Sequence, residues 1–155
     1  MINIAFATNK NYAIHMVVAI ASIVLNNESK SDLCFYILHS ELDGKDIDNI
    51  KSVRELVNGF KVEFVFLNLK NEFNDYSMNS YFSKEAMYRL LIADILPNID
   101  KILYLDPDIV VVKDISKLYH ENIEDVYVAG VKDLILMHLL RSDGTVNYNN
   151  AEYRI

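Results

Sequence analysis

Four short, nearly unbroken apolar runs constrain this chain more than anything else in it: Ile2 to Ala7, Asp32 to His39, Lys61 to Leu67 and Ile102 to Leu105. A strand with one wet face alternates apolar and polar residues. A strand without alternation is covered on both faces, the condition of a parallel sheet between layers of helix. The intervening segments have helical character. Tyr12 to Asn26 is rich in Ala, Ile and Val and stops at Asn26-Asn27, while Asp43 to Val57 carries Ile47, Ile50, Val53, Leu56 and Val57 at helical spacing. Ser83 is the expected N-cap of a third helix that runs to Leu96 ahead of Pro97. Asn58-Gly59 supplies the turn into the third strand. Further along, Ile109 to Val112 is a candidate fifth strand, Ser116 to His120 a short helix, Val126 to Val131 a strand and Leu134 to Arg141 a helix. Asn68 to Ser80 and Ser142 to Ile155 read as loops. Strand and helix in alternation predict an α/β fold, and the lack of repeats or an interior linker predicts one domain over residues 1–155.

Composition narrows the partners. Just over half of the 155 residues are apolar, with ten Tyr and seven Phe, which is enough for a real core. The formal net charge of −7, with Lys and Arg scattered singly, speaks against nucleic acid. Cys34 is the only cysteine, so no internal disulfide forms, and its apolar setting reads as a buried inert thiol in a reducing, cytoplasmic setting. The longest apolar stretch, Ala13 to Leu25, is too short to span a bilayer and carries His15 and Ser22. The N-terminus has no basic segment of the kind that opens a signal peptide.

Ligands of parallel sheets bind beyond the carboxyl ends of the strands. Two polar groups fall there. The first is Thr8-Asn9-Lys10-Asn11-Tyr12 after strand one, with amides and a hydroxyl able to pair with a base or ribose and a tyrosine face for stacking. The same residues also make an ordinary helix cap. The second is Asp106-Pro107-Asp108 after strand four. In extended backbone these two carboxylates project to one side of a stiffened segment, a hard-oxygen seat for Mg²⁺ or Mn²⁺. The tripeptide is equally good turn chemistry. Arg89 leads toward the acidic strand and suits bidentate contact with phosphate, or is a plain surface arginine. His15, His39, His120 and His138 show no metal-ligand spacing, and His39 reads as a solvated strand-end residue. Phe73, Tyr76, Tyr81 and Phe82 read as packing beneath a long loop.

Three blocks in this order resemble family 8 glycosyltransferases, the group of bacterial lipopolysaccharide hexosyltransferases and glycogenin. They are Phe6-Ala-Thr-Asn-Lys-Asn-Tyr-Ala13; Phe82-Ser83 through Tyr88-Arg89-Leu90, Leu96-Pro97 and Asp100 to Val112; and Val128-Ala-Gly-Val-Lys-Asp133. The resemblance implies a GT-A fold, Mn²⁺ (or Mg²⁺), and transfer of a hexose from UDP-glucose or UDP-galactose to a saccharide acceptor with retention. Carried over by position, it implies that Asp106 and Asp108 hold the metal on the diphosphate. Ala7, Thr8, Asn9, Asn11 and Tyr12 would meet uracil and ribose, Arg89 the sugar or phosphates, and Asp133 the sugar or acceptor.

Family members are longer, so the chain is expected to be the donor-binding part without the acceptor side and the C-terminal His of the metal shell. Such a part would expose a sheet edge and self-associate. Two alternatives accompany this reading: an inactive UDP- and metal-binding piece, and a phosphatase of the haloacid dehalogenase type with Asp106 as nucleophile. The latter expects its motif near the chain start and more residues downstream. A location peripheral to the inner face of a membrane fits a full-length enzyme of this kind.

Overall fold

In a computed structural model, residues 1–74 and 83–130 are described, together with the backbone of 145–148 and 151–154. Residues 1–121 form one compact unit. Its centre is a four-stranded sheet of β1 (Ile2–Thr8), β2 (Leu33–His39), β3 (Val62–Asn68) and β4 (Leu103–Leu105), in the order β3-β2-β1-β4. All three pairings are parallel, with Thr8 level with His39, His39 level with Asn68, and Phe6 level with Leu105.

Unbroken apolar sequence becomes two-sided burial. On one face Ile2, Ile4 and Phe6 of β1 join Leu33, Phe35 and Ile37 of β2, and pack on α1 (Ala13–Leu25) and α2 (Gly44–Ser52) through Met16, Ile20, Ile23 and Ile50. On the other face Ala5 and Ala7 join Cys34, Tyr36 and Leu38, against Tyr88 and partly buried Ile92, Ile95 and Leu96. Small residues of β1 on the second face let that layer sit close. Phe35 lies between Phe6 and Phe64, with ring centroids 6.3 and 5.5 Å away.

Helix α2 starts at a reciprocal capping box. Asp43 accepts from the Asp46 backbone at 3.0 Å, and Asp46 accepts from the Asp43 backbone at 3.1 Å. Beyond α2 the chain continues as one 3₁₀ turn, Val53–Leu56, and Gly59 at φ +82° makes the turn into β3.

Several expectations need correction. The third helix is a 3₁₀ helix over Lys84–Leu91 followed by a single α turn, α3 (Ile92–Ile95), and the Ser83 side chain caps no backbone group. Three residues per turn place Glu85 and Tyr88 on one edge, which is buried, and Ser83, Ala86 and Arg89 on the next. Ile109 to Val112 forms no strand and pairs with none among the described residues. Ile109 and Val111 face the core, and side chains of α1 take the place of a strand: Ser22 Oγ accepts from Val111 N at 2.9 Å, and Asn26 Nδ2 donates to Val111 O at 3.0 Å. Pro107 and Asp108 form a turn, so the acidic pair is not carried by extended backbone. The expected short helix is α4 (Ser116–Tyr119).

In the second unit, residues 126–130 form no strand, and Thr145–Tyr148 (β5) and Ala151–Arg154 (β6) pair as antiparallel strands where a loop was expected. The expected helix from Leu134 to Arg141 lies outside the described residues. Among the described residues no helix is long and apolar enough to cross a membrane.

His39 is buried, not solvated. Its Nδ1 accepts from Leu42 N at 3.4 Å, which puts the neutral ring's proton on Nε2, and burial lowers its pKa below the ordinary 6.5. The unfolded chain then takes up the proton first, so stability falls as pH drops below about 6.5 and through the lower folded value. His39→Asn keeps an acceptor for Leu42 without titrating in this range, and urea melts from pH 7 to 5 should show a shallower loss of stability than in the parent chain. Phe35→Ala removes the ring at the centre of the aromatic row and should cost about 3–5 kcal/mol in the same measurement.

Candidate functional site

The strand order itself makes a crevice. β2 and β3 lie on one side of β1 and β4 on the other, so the connections leaving β1 and β4 part at the carboxyl edge. β4 ends level with Phe6, and the next residue, Asp106, reaches the level of Ala7. An open cleft of about 380 Å³ lies there, lined by Ala7, Thr8, Asn9 and Tyr12 from β1 and its turn. Ser83, Glu85, Ala86 and Arg89 of the 3₁₀ helix form another wall, and Tyr104, Asp106, Pro107 and Asp108 the third.

Seven of the residues singled out from sequence therefore share one cleft: Ala7, Thr8, Asn9, Tyr12, Arg89, Asp106 and Asp108. Asn11 is exposed and not part of its lining; its backbone N–H serves the turn instead. Asp133 lies outside the described residues.

The turn after β1 is built by Asn9. Its Oδ1 accepts from the backbone N–H of Asn11 at 3.0 Å and of Tyr12 at 3.3 Å, which caps the 3₁₀ turn Lys10–Tyr12. Lys10 then pairs with Asp43 at 2.6 Å, tying this turn to the start of α2. That contact raises the Lys10 pKa and, with the Asp46 backbone, holds Asp43 down at about 2. Both partners are well exposed, and the pair adds little to stability. Tyr12 is 44% exposed, with its ring tilted at 41° to His15. A planar ligand can reach it.

On the acidic side, Arg89 is held at three points. Its Nε donates to Ala86 O at 2.8 Å, a terminal nitrogen donates to Asp106 at 3.3 Å, and the guanidinium lies 4.6 Å from the centre of the Tyr104 ring. Burial pushes the Tyr104 hydroxyl up to about 12; Arg89 opposes that shift, while Asp106 and Asp108 add to it. The Arg89–Asp106 pair is solvent-exposed and worth about 0–1 kcal/mol, so either group changes partner cheaply.

Asp106 and Asp108 offer carboxylate oxygens, the donors that Mg²⁺ and Mn²⁺ prefer. Among the described residues no third His, Cys, Asp or Glu joins them. The pair fits a cation that completes its shell with water and phosphate oxygens.

Sequence reasoning missed Glu85. It is 5% exposed, yet it lines the cleft and accepts from Ser40 Oγ at 2.5 Å. Burial would raise its pKa, but hydrogen bonding, led by the Ser40 hydroxyl, outweighs that and holds the carboxyl below the usual range. A carboxylate three residues before a buried tyrosine was the available signal. Its meaning depends on Ser40, which is 45 residues away.

Among the described residues the cleft is lined by three carboxylates, Glu85, Asp106 and Asp108, and one guanidinium. A surplus of carboxylates of this kind disfavours a bare anion and favours a cation.

Comparison with known proteins agrees with this architecture. The family model described as glycosyl transferase family 8 matches residues 3–154. General stress protein A of Bacillus subtilis is 29% identical over 136 residues, which is 86% of this chain and 46% of that protein. Lipopolysaccharide 1,2-glucosyltransferase of Escherichia coli is 30% identical over 134 residues, 86% of this chain and 39% of that protein. The chain thus spans less than half the length of these curated relatives. Among solved structures, the galactosyltransferase LgtC in complex with donor and acceptor sugar analogues superposes with a TM-score of 0.75 at 22% identity, covering 97% of this chain and 56% of that one. The likeness shows the fold, GT-A, and the phosphatase alternative has no support in any of these matches. On the extent of the family match, this chain belongs to glycosyl transferase family 8.

Proposed function

We propose that the cleft binds a UDP-sugar, either UDP-glucose or UDP-galactose, and that the protein transfers the hexose to a saccharide acceptor with retention at the anomeric carbon. The observation that carries this reading is the convergence, at the β1/β4 crevice, of an Asn- and Tyr-bearing turn with two carboxylates and an arginine. Thr8 and Tyr12 would meet the nucleoside, Tyr12 by stacking, at the end of the cleft nearest β1. Asn11 belongs to the same turn and would help shape it through its backbone.

Asp106 and Asp108 would hold Mn²⁺ or Mg²⁺ at the diphosphate, and a bound divalent cation would neutralise charge developing on the UDP leaving group. Arg89, already weakly paired, would exchange from Asp106 to a phosphate or sugar oxygen and add a charge-assisted hydrogen bond. The crowding of like charges around the cleft then makes nucleotide binding cation-dependent. Asp133 would face the sugar or acceptor. The relative named lipopolysaccharide 1,2-glucosyltransferase supports a saccharide acceptor.

A second reading, UDP and metal binding without sugar transfer, is favoured by one observation: two carboxylates without a third acidic, histidine or cysteine partner among the described residues. Turnover of UDP-glucose or UDP-galactose, followed as UDP release with and without a saccharide acceptor, separates the two.

Calorimetry of UDP with Mn²⁺ is the direct test of the site. Asp106→Asn and Asp108→Asn should each weaken Mn²⁺-dependent UDP affinity by about tenfold or more, as expected for losing one charged ligand. Unchanged affinity in both would remove the metal assignment. Arg89→Ala should weaken UDP by roughly tenfold while leaving uridine affinity nearly unchanged, because its contact is with phosphate or sugar and not with the nucleoside.

A further inference from the structure

We propose that Ser22 and Asn26 of α1 are positioning residues for Asp108: by holding the backbone of Val111, they fix where the second carboxylate of the acidic pair stands. The inference deepens the nucleotide-site reading above and rests on it for its effect on cation binding.

The two carboxylates are anchored differently. Asp106 directly follows β4, which is paired with β1 as far as Leu105. Asp108 lies beyond that ladder, in the turn with Pro107, and is exposed. Proline brings no backbone donor to tie the turn down. Among the described residues, the backbone of residues 107–112 is hydrogen-bonded only at Val111, and both bonds there go to α1. Ile109 and Val111 also pack against the core, but an apolar contact has no direction and leaves the chain free to slide. The hydrogen bonds at Val111 stop that sliding. Three residues span at most about 10 Å, so the fastening lies close behind Asp108.

Donor and acceptor chemistry leaves one arrangement. A backbone N–H only donates, so Ser22 Oγ accepts from Val111 N at 2.9 Å and sends its own proton to Ala19 O at 2.7 Å. Carbonyl oxygens only accept, so the Asn26 amide must present its nitrogen. That nitrogen reaches Val111 O at 3.0 Å and Ser22 O at 2.9 Å. Both polar groups of Val111 are thus captured by two side chains one helical turn apart.

Helix α1 starts directly after Tyr12, which lines the cleft. Ser22 lies ten residues beyond Tyr12, about 15 Å along the helix. One helix therefore begins at the nucleoside turn and grips the chain that leaves the acidic pair, which sets the distance between the two. A second tie, Asp114 accepting from Ser29 N at 2.5 Å, lies farther along the chain and would keep the segment docked once the Val111 contact is removed.

Calorimetry on the whole chain tests the proposal with three variants. Ser22→Ala removes the acceptor, Asn26→Asp sets a carboxylate against two carbonyl oxygens, and Asp114→Ala breaks the more distant tie for comparison. Ser22→Ala and Asn26→Asp should each weaken Mn²⁺-dependent UDP affinity by about three- to tenfold, the worth of one hydrogen bond, and leave uridine affinity within about twofold. Asp114→Ala should lower the thermal midpoint and leave both affinities within about twofold. Equal losses of UDP affinity in all three variants, or losses shared by uridine, would reduce the effect to lowered stability and overturn the proposal. Parent-like UDP affinity in Ser22→Ala and Asn26→Asp would overturn it too. If the parent chain shows no Mn²⁺-dependent UDP binding, the nucleotide reading fails by itself, and backbone ¹⁵N relaxation still decides the positioning. The order parameter of the Asp108 amide should fall in Ser22→Ala, and an Asp108 amide as rigid as the parent's would refute the role. Should Asn26→Asp fail to fold, Ser22→Ala carries the test.

Discussion

The parallel pairing of β1 with both β2 and β4 is the constraint on which everything else depends. A central strand bonded on both edges and covered on both faces meets little water, and this explains why Ile2 to Thr8 carries so little polarity before its last residue. It also decides where a ligand goes. With β2 and β3 wound to one side and β4 to the other, the loops after β1 and β4 diverge and leave a gap. Both polar clusters of the chain lie at that gap, although nearly a hundred residues separate them in sequence.

Electrostatics gives the gap its character. The protein is acidic overall, and the cleft concentrates that excess, with Arg89 as the one opposing charge among its described lining residues. Exposed carboxylates whose existing partner is held by under about 1 kcal/mol are poised to change partners. Glu85 differs in kind. It is buried and bonded to the Ser40 hydroxyl, whereas Asp106 and Asp108 are exposed.

Membership of glycosyl transferase family 8 accounts for the fold and the order of the motifs, while choice of sugar is a matter of contacts with the hexose. The curated relatives differ in what their names assign them and are more than twice as long as the stretch they share with this chain. The cleft at the β1/β4 crevice brings together an exposed tyrosine, a capped turn, a guanidinium and two carboxylates. As proposed, these groups would recognise a nucleotide diphosphate and leave the hexose to other contacts.

The sequence by itself determined the two-faced strands, the helices between them, the crevice-edge position of both motifs and the family, because these follow from local periodicity and from short residue patterns. It misjudged elements whose form depends on distant neighbours. Ile109 to Val112 has strand chemistry, but only another strand makes a strand, and here Ser22 and Asn26 of α1 satisfy its backbone instead. Ser83 to Leu91 has helical composition, yet burial of Glu85 and Tyr88 three residues apart goes with the tighter 3₁₀ wind. His39 reads as exposed until the chain at Leu42 folds back over it. Tertiary structure alone decided the setting of Glu85, since its buried carboxylate meets the Ser40 hydroxyl only when the end of β2 and the 3₁₀ helix come together.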